Sequence, residues 1–192
     1  MRIIAGEHRG RRLATPPGTA TRPMLDRVRE ALFSTLGELV SAARVLDLCA
    51  GTGSLGLESL SRGAEFARMV ERDRNTERLL CSNVDTLRVG DRAEVVRQDA
   101  LDPASWGEGE DYDLVFFDPP YPWLRDRKRR EDVLRVVRLL VGQRLRPGGV
   151  VVLHAPRAEL VADDFGSGVL SRLREYGTNA LWYLRPEVTE AA

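Results

Sequence analysis

Between residues 45 and 154, short apolar runs alternate with segments whose apolar positions recur every three or four residues. The runs are Val45 to Leu48, Phe66 to Glu71, Ala93 to Arg97, Tyr112 to Phe117 and Val150 to His154, and the helical spacing covers Ser54 to about Arg62, Arg74 to Leu87 and Arg129 to Val141. Strands buried on both faces read as continuous apolar runs, so this rhythm predicts a mostly parallel sheet with helices on both sides. Upstream, Leu25, Val28, Leu32, Leu36 and Leu39 predict an amphipathic helix within Met24 to Leu39, with Arg27 and Arg29 on its other face. Further upstream, Arg2 to Ala5 and Arg11 to Ala14 flank the turn-rich Gly6-Glu7-His8-Arg9-Gly10, which predicts a β-hairpin, and Thr15-Pro16-Pro17-Gly18-Thr19 then breaks regular structure. At the other end, Leu170 to Tyr176 and Ala180 to Leu184 are separated only by Gly177-Thr178-Asn179. That gap admits a hairpin and no helical crossover, so the sheet should finish with an antiparallel strand. The chain therefore reads as α/β: a doubly wound, Rossmann-like seven-stranded sheet spanning 21–192. A hairpin arm over 1–20 should add little to the main core.

Composition narrows the chemistry. The 192 residues carry 29 basic and 29 acidic side chains, so the net charge is zero, yet residues 1–44 sum to +4, 45–118 to −8, 119–146 to +6 and 147–192 to −2. A uniformly basic nucleic-acid binder is excluded, and opposed segments remain. Lys128, the single lysine, lies in the run Arg125-Asp126-Arg127-Lys128-Arg129-Arg130, which leaves no candidate for a P-loop or Schiff-base lysine. His8, His154, Cys49 and Cys81 have no metal-ligand spacing, so no metal is expected. The cysteines read as reduced, and neither a leader nor a membrane span is visible, so a cytoplasmic protein is expected.

Val45-Leu46-Asp47-Leu48-Cys49-Ala50-Gly51-Thr52-Gly53-Ser54-Leu55-Gly56 puts a glycine-rich turn between strand and helix, and Glu71 follows Gly51 by 20 residues at the next strand end. Those glycines and that carboxylate suit either a nicotinamide dinucleotide or an adenosyl ligand, since each has a ribose for Glu71. Asp47 separates the two. A carboxylate at this strand end repels a pyrophosphate and attracts the ammonium and sulfonium of S-adenosylmethionine. Asp99, with Ala100 beside it, follows the third strand, where it can meet an adenine amino group; Cys49, Thr52, Arg72 and Asp118 complete the expected cofactor contacts.

The segment Leu114-Val115-Phe116-Phe117-Asp118-Pro119-Pro120-Tyr121 drives a buried strand into two prolines, which hold the following backbone rigid. Rigidity suits methyl transfer to an exocyclic amine, whose nitrogen must be aimed while its hydrogens are accepted. The Asp118 carboxylate and the Pro119 carbonyl are the acceptors, and Tyr121 gives an extruded base a stacking face. No general base is needed beforehand, because the amine becomes acidic on methylation. Trp123 is a weaker stacking candidate, and His154 reads as structural.

These motifs resemble the amino-methyltransferases that use S-adenosylmethionine. More narrowly, Arg2-Ile3-Ile4-Ala5-Gly6, Gly10-Arg11-Arg12-Leu13 and Arg22-Pro23-Met24-Leu25-Asp26-Arg27-Val28-Arg29-Glu30-Ala31-Leu32-Phe33 resemble the RsmD family over residues 1 to about 155. Where this chain has Met24-Leu25, the family more often has Thr-Thr or Thr-Ser. The resemblance implies methylation of guanine N2 in bacterial small-subunit ribosomal RNA, presented on an assembled or assembling subunit. The first 29 residues carry a net +5, and Arg2, Arg9, Arg11, Arg12, Arg22, Arg27 and Arg125 are the expected RNA contacts. Competing readings are a DNA adenine-N6 methyltransferase, for which the chain has little room for a target-recognition domain, and a non-catalytic RNA-binding ribosome-assembly factor. A cytosine-C5 enzyme needs a nucleophilic cysteine, and none follows position 81.

Overall fold

The computed structural model describes residues 1–16, 24–109 and 111–187. Helix α1 (Asp26–Leu36) runs into a 3-10 turn and strand β1 (Arg44–Leu48), followed by α2 (Gly56–Ser61), β2 (Phe66–Val70), α3 (Arg74–Leu87) and β3 (Ala93–Val96). The chain continues through β4 (Tyr112–Phe117), α4 (Tyr121–Arg125), α5 (Arg127–Gln143), β5 (Leu145–Pro156), β6 (Val169–Tyr176) and β7 (Asn179–Pro186). All seven strands join one sheet in the order β3-β2-β1-β4-β5-β7-β6. The first five are parallel, and β7 runs antiparallel to both β5 and β6. The doubly wound sheet with a reversed last strand is thus as the apolar pattern predicts. Among the described residues no helix is long and apolar enough to cross a membrane.

Two apolar layers sandwich the sheet. One face packs Val45, Met69, Leu114 and Phe116 against Val28 and Leu32 of α1, Leu57 of α2 and Leu80 of α3. The other packs Leu46, Leu48, Val115 and Phe117 against Val133, Val137 and Leu140 of α5. Alternation along β1 therefore sends Val45 and Asp47 to one layer and Leu46 and Leu48 to the other. Asp73 caps α3 by accepting the backbone N–H groups of Asn75 and Thr76 at 3.1 and 2.8 Å, which accounts for the sharp start of that helix.

Three features depart from the sequence pattern. The β5 strand starts at Leu145, five residues ahead of the apolar run from Val150 to His154, and pairs there with Tyr112 before a register shift. The short helix α4 is invisible to periodicity, because Pro120 and Pro122 suggest a loop; proline is tolerated in a first helical turn, where its missing N–H has no partner to lose. The arm is the largest departure. Its two segments do pair as a hairpin around the Arg2–Arg12 bridge, with Ile3 N–H donating to the Arg11 carbonyl at 2.9 Å and Leu13 N–H to the Met1 carbonyl at 3.0 Å, but the hairpin is packed into the domain. Ile3 and Leu13 are buried in the α1–α2–α3 layer. Gly6 lies so close to α2 that a Cβ would stand 1.7 Å from the Ser61 carbonyl oxygen. The buried Glu58 carboxylate accepts the N–H groups of Ile4 and Ala5, and Arg62 closes on it at 2.7 Å. Arg29, expected on a solvated face, is fully buried; it donates to the Arg2 carbonyl and to Asp26, so it cannot reach a phosphate.

Candidate active site

The carboxyl ends of β1 to β4 gather Asp47, Glu71, Asp99 and Asp118 about Cys49, with Asp47 buried beneath the other three at the crevice beyond the strand ends. Gly51 has a φ of +58°, and a Cβ there would meet nothing within 4 Å, so its backbone faces open space. Gly53 is different in kind: a Cβ would come within 2.5 Å of Leu80, which makes it a packing glycine that lets the loop lie on α3. Asp47 is buried, and its Oδ2 accepts the N–H of Gly56 at 2.9 Å, tying the strand end to the start of α2. Burial pushes its carboxyl up to about 7, with the charges of Asp118 and Glu71 adding to the rise and the Gly56 N–H opposing it.

Glu71 accepts the N–H of Gly51 at 3.0 Å and of Asp73 at 2.8 Å, so it braces the glycine loop from the neighbouring strand. Its carboxyl is also raised, by burial first. Asp99 accepts from Arg72 at 3.0 Å and from the Leu101 N–H at 3.0 Å. The Ala100 carbonyl accepts the Trp106 indole N–H at 2.9 Å, which anchors the third rim loop. Thr52 is held through its carbonyl by Asn83, whose amide also grips both backbone groups of Ala14. The arm is thereby joined to the glycine loop. Cys49 has a φ of +61°, and burial followed by the surrounding carboxylates raises its thiol well above the usual range, the reverse of what a nucleophile needs.

Asp118 lies one residue past β4, and Phe117 pairs with Leu153, so His154 arrives beside it on β5. His154 Nδ1 is 2.8 Å from Asp118 Oδ1, and its Nε2 is 2.9 Å from Asn179 Oδ1. The Tyr121 hydroxyl donates to the same Asn179 oxygen at 3.0 Å, and its ring meets the imidazole edge-on at 5.7 Å. Neither His154 nor Asn179 is a site residue on sequence grounds. A strand-end histidine can be read as structural, and Asn179 lies in a hairpin turn 58 residues from Tyr121. What brings them in is the register of the sheet, which sets Phe117 opposite Leu153 and Pro156 opposite Asn179.

The arginines fall on both edges of the sheet. Arg27, at the start of α1, reaches the β6–β7 turn at Gly177, and Arg2 pairs with Asp26 at 3.6 Å, both on the crevice edge. Arg125 is exposed on α4, while Arg72 and Arg129 lie over the Trp123 ring at 5.6 and 5.5 Å. The tip of the arm points the other way. Arg11 donates to the Thr86 carbonyl in the last turn of α3, and Glu7 pairs with Arg92 just before β3. Arg9 and Arg11 thus sit at the amino ends of the strands, while exposed Arg12 bridges back to Arg2. Arg22 lies outside the described residues. Among the described residues no cluster of His, Cys, Asp or Glu could hold a metal ion.

This strand order, with a glycine turn after β1 and Asp-Pro-Pro-Tyr after β4, defines a Rossmann-like methyltransferase. The family model described as Conserved hypothetical protein 95 matches residues 1–185, and the chain belongs to that family, the RsmD family. It is 36% identical over 182 residues to YlbH of Bacillus subtilis (strain 168), covering 92% of this chain and 94% of that one. It is 43% identical over 121 residues to Ribosomal RNA small subunit methyltransferase D of Escherichia coli (strain K12), covering 63% of this chain and 60% of that protein. Among solved structures, Escherichia coli yhhF superposes with a TM-score of 0.81 at 32% identity, covering 98% of this chain and 99% of that one. A hypothetical protein of Thermus thermophilus gives 0.78 at 33% identity over 96% and 99%.

Proposed function

We propose that this chain transfers a methyl group from S-adenosylmethionine to the exocyclic N2 of a guanine in small-subunit ribosomal RNA. The observation that carries this reading is the Asp118-Pro119-Pro120-Tyr121 segment, held by His154 and Asn179 beside a carboxylate-rimmed crevice. The name of the Escherichia coli relative supports ribosomal RNA as the substrate class. The rim suits the cofactor: Asp47 and Asp118 favour a cation, Glu71 suits ribose hydroxyls, Asp99 and the backbone at Ala100 suit an adenine edge, and Gly51 leaves room for close approach. When bound, S-adenosylmethionine supplies an electrophilic methyl carbon, whose bonding pair returns to sulfur as the amine nitrogen takes the carbon.

The rest falls to the chain's own groups. Asp118 accepts one N–H of the amine and the Pro119 carbonyl accepts the other, which aims the nitrogen lone pair and concentrates it. The Pro119-Pro120 backbone fixes both acceptors before the base arrives. Tyr121, tied through its hydroxyl, offers a ring face to an extruded base. Once methylated, the nitrogen is cationic and acidic, and its proton leaves to Asp118 or to water while the N–H bonding pair stays on nitrogen. Residues 1–20 act as an RNA-binding extension of the 21–192 methyltransferase domain, and Arg2 and Arg12 of the extension present positive charge on the crevice edge together with Arg27 and Arg125 of the domain.

The test is transfer of a labelled methyl group to undermethylated small subunits, naked ribosomal RNA and duplex DNA, followed by nucleoside analysis. N2-methylguanosine from the ribosomal substrates is the expected product. N6-methyladenine from DNA, or binding of RNA with no transfer, would overturn the reading.

A further inference from the structure

The hydrogen bonds around His154 fix its protonation. Asn179 donates its amide nitrogen to the Tyr176 carbonyl at 3.2 Å, so its Oδ1 must be the atom that faces His154 and Tyr121; the opposite orientation would set two carbonyl oxygens against each other. An acceptor facing Nε2 requires a proton on Nε2. The carboxylate facing Nδ1 at 2.8 Å requires a proton between those two atoms as well. That second proton belongs to the stronger base, and imidazole outranks a carboxylate by about two to three pH units in water.

We propose that His154 is the positioning residue for Asp118: an imidazolium donating Nδ1–H to Asp118 Oδ1 and Nε2–H to Asn179 Oδ1, which leaves Asp118 Oδ2 to receive the target amine. Its catalytic consequence rests on the methyl-transfer reading above; the protonation itself does not. Asp118 is partly exposed toward the crevice, so its carboxylate can be met from that side. With the shared proton on Oδ1 instead, Asp118 would meet the amine as a neutral carboxyl, a weaker acceptor than a carboxylate and a poorer receiver of the departing proton. Asp118 also shares its surroundings with Asp47, which feels its charge, and His154 is the cation that meets the Asp118 carboxylate directly. The groups facing the imidazole are Asp118 from the end of β4, the Tyr121 hydroxyl from α4 at 3.4 Å and Asn179 from β7, while Arg157, just past β5, is turned to Glu175. Burial opposes the charge on His154, yet the adjacent Asp118 charge and the hydrogen bonds to Asp118 and Asn179 outweigh it and raise the imidazole above its ordinary value.

The chain has two histidines, so a His8→Gln background leaves one imidazole to observe by long-range ¹H–¹⁵N correlation of ¹⁵N-labelled protein. Both ring nitrogens should be protonated at neutral pH, with a titration midpoint above that of a free histidine, and Asp118→Asn should lower the midpoint by about one pH unit or more. A neutral, single-tautomer ring at pH 7 overturns the proposal, whatever the enzyme does. In the transfer assay, His154→Leu should lower kcat by roughly 10- to 100-fold, with cofactor affinity and KM for RNA changed by less than about threefold. His154→Asn keeps an N–H donor near the former Nδ1; it should recover much of kcat and lose the alkaline limb of the kcat–pH profile. An unchanged pH profile in His154→Asn would mean that the ring only packs, and the proposal falls. If the wild-type chain methylates none of the three substrates, the proposed function fails, and the imidazole titration still decides the protonation of the pair.

Discussion

The Glu58 carboxylate, fully buried on α2, accepts the backbone N–H of Ile4 at 2.7 Å. Ala5 donates to the other oxygen at 3.0 Å, so the arm satisfies an acceptor that would otherwise be stranded beside the core. Deleting residues 1–14 should therefore unfold the chain or leave it molten, since the deletion also uncovers the apolar layer that Ile3 and Leu13 close. Glu58→Ala should cost roughly 2–4 kcal/mol in chemical denaturation, through two orphaned N–H groups and a broken ion pair with Arg62. An unshifted denaturation midpoint would show that the arm is dispensable to the fold.

Asp47 ties ligand binding to pH. Its folded pKa of about 7 lies above the unfolded value near ~4, so its contribution to stability is complete at acid pH and is lost as pH rises through about 7. Raised values for Glu71 and His154 act in the same direction. The ligand-free protein should melt at lower temperature at about pH 8 than at about pH 5, and Asp47→Asn should flatten that fall. A cationic ligand favours the ionised carboxyl, so S-adenosylmethionine should expel protons as it binds near pH 6. Calorimetry in buffers of different ionisation enthalpy measures this release, and its absence would remove Asp47 from the ligand's field.

Asp118 and Tyr121 should separate kinetically. Asp118→Ala removes an acceptor for the amine, and kcat should fall by about 10²-fold or more while S-adenosylmethionine affinity holds within a few-fold. Tyr121→Ala gives up stacking of ~1–3 kcal/mol and should raise KM for RNA by roughly 5- to 100-fold. Tyr121→Phe keeps the ring and should retain most of the activity, with a looser ring once its tie to Asn179 is gone. Near-normal turnover in Asp118→Ala would mean that the amine is held elsewhere.

The two edges of the sheet make different demands on RNA. Replacing Arg27 and Arg125 together should flatten the salt dependence of RNA binding by up to ~0.7–0.9 in log–log slope for each phosphate no longer neutralised. Arg9 and Arg11 lie across the sheet, roughly 15–20 Å away by strand length. Arg9→Ala should leave binding of a short stem-loop unchanged and weaken binding of an intact subunit, which is wide enough to touch both edges. Equal loss on both substrates would place the arm tip at the crevice.

Local patterning made the parallel core legible: α3 and β4 fall at the residues where the apolar spacing ends, because a capping Asp73 and two prolines mark those boundaries chemically. The rim was legible for the same reason, since Asp47, Glu71, Asp99 and Asp118 all stand at or just past strand ends. The arm's role was hidden because it depends on Glu58 and Asn83, polar residues in helices whose partners lie more than 50 residues away in sequence. His154 and Asn179 were hidden likewise, since their meaning arises only when β5 pairs with β4 on one side and with β7 on the other. Arg29 was misplaced because helical spacing reports which face is apolar and says nothing of an arm laid over the polar one.

Asn179 opens β7, so it is translated after the glycine loop, Asp118, Tyr121 and His154 are already in the chain. On a translating ribosome the crevice rim can form while the residue that holds Tyr121 is still unmade or inside the exit tunnel. Completion of the β6–β7 hairpin is therefore the last folding event that the tie on Tyr121 requires.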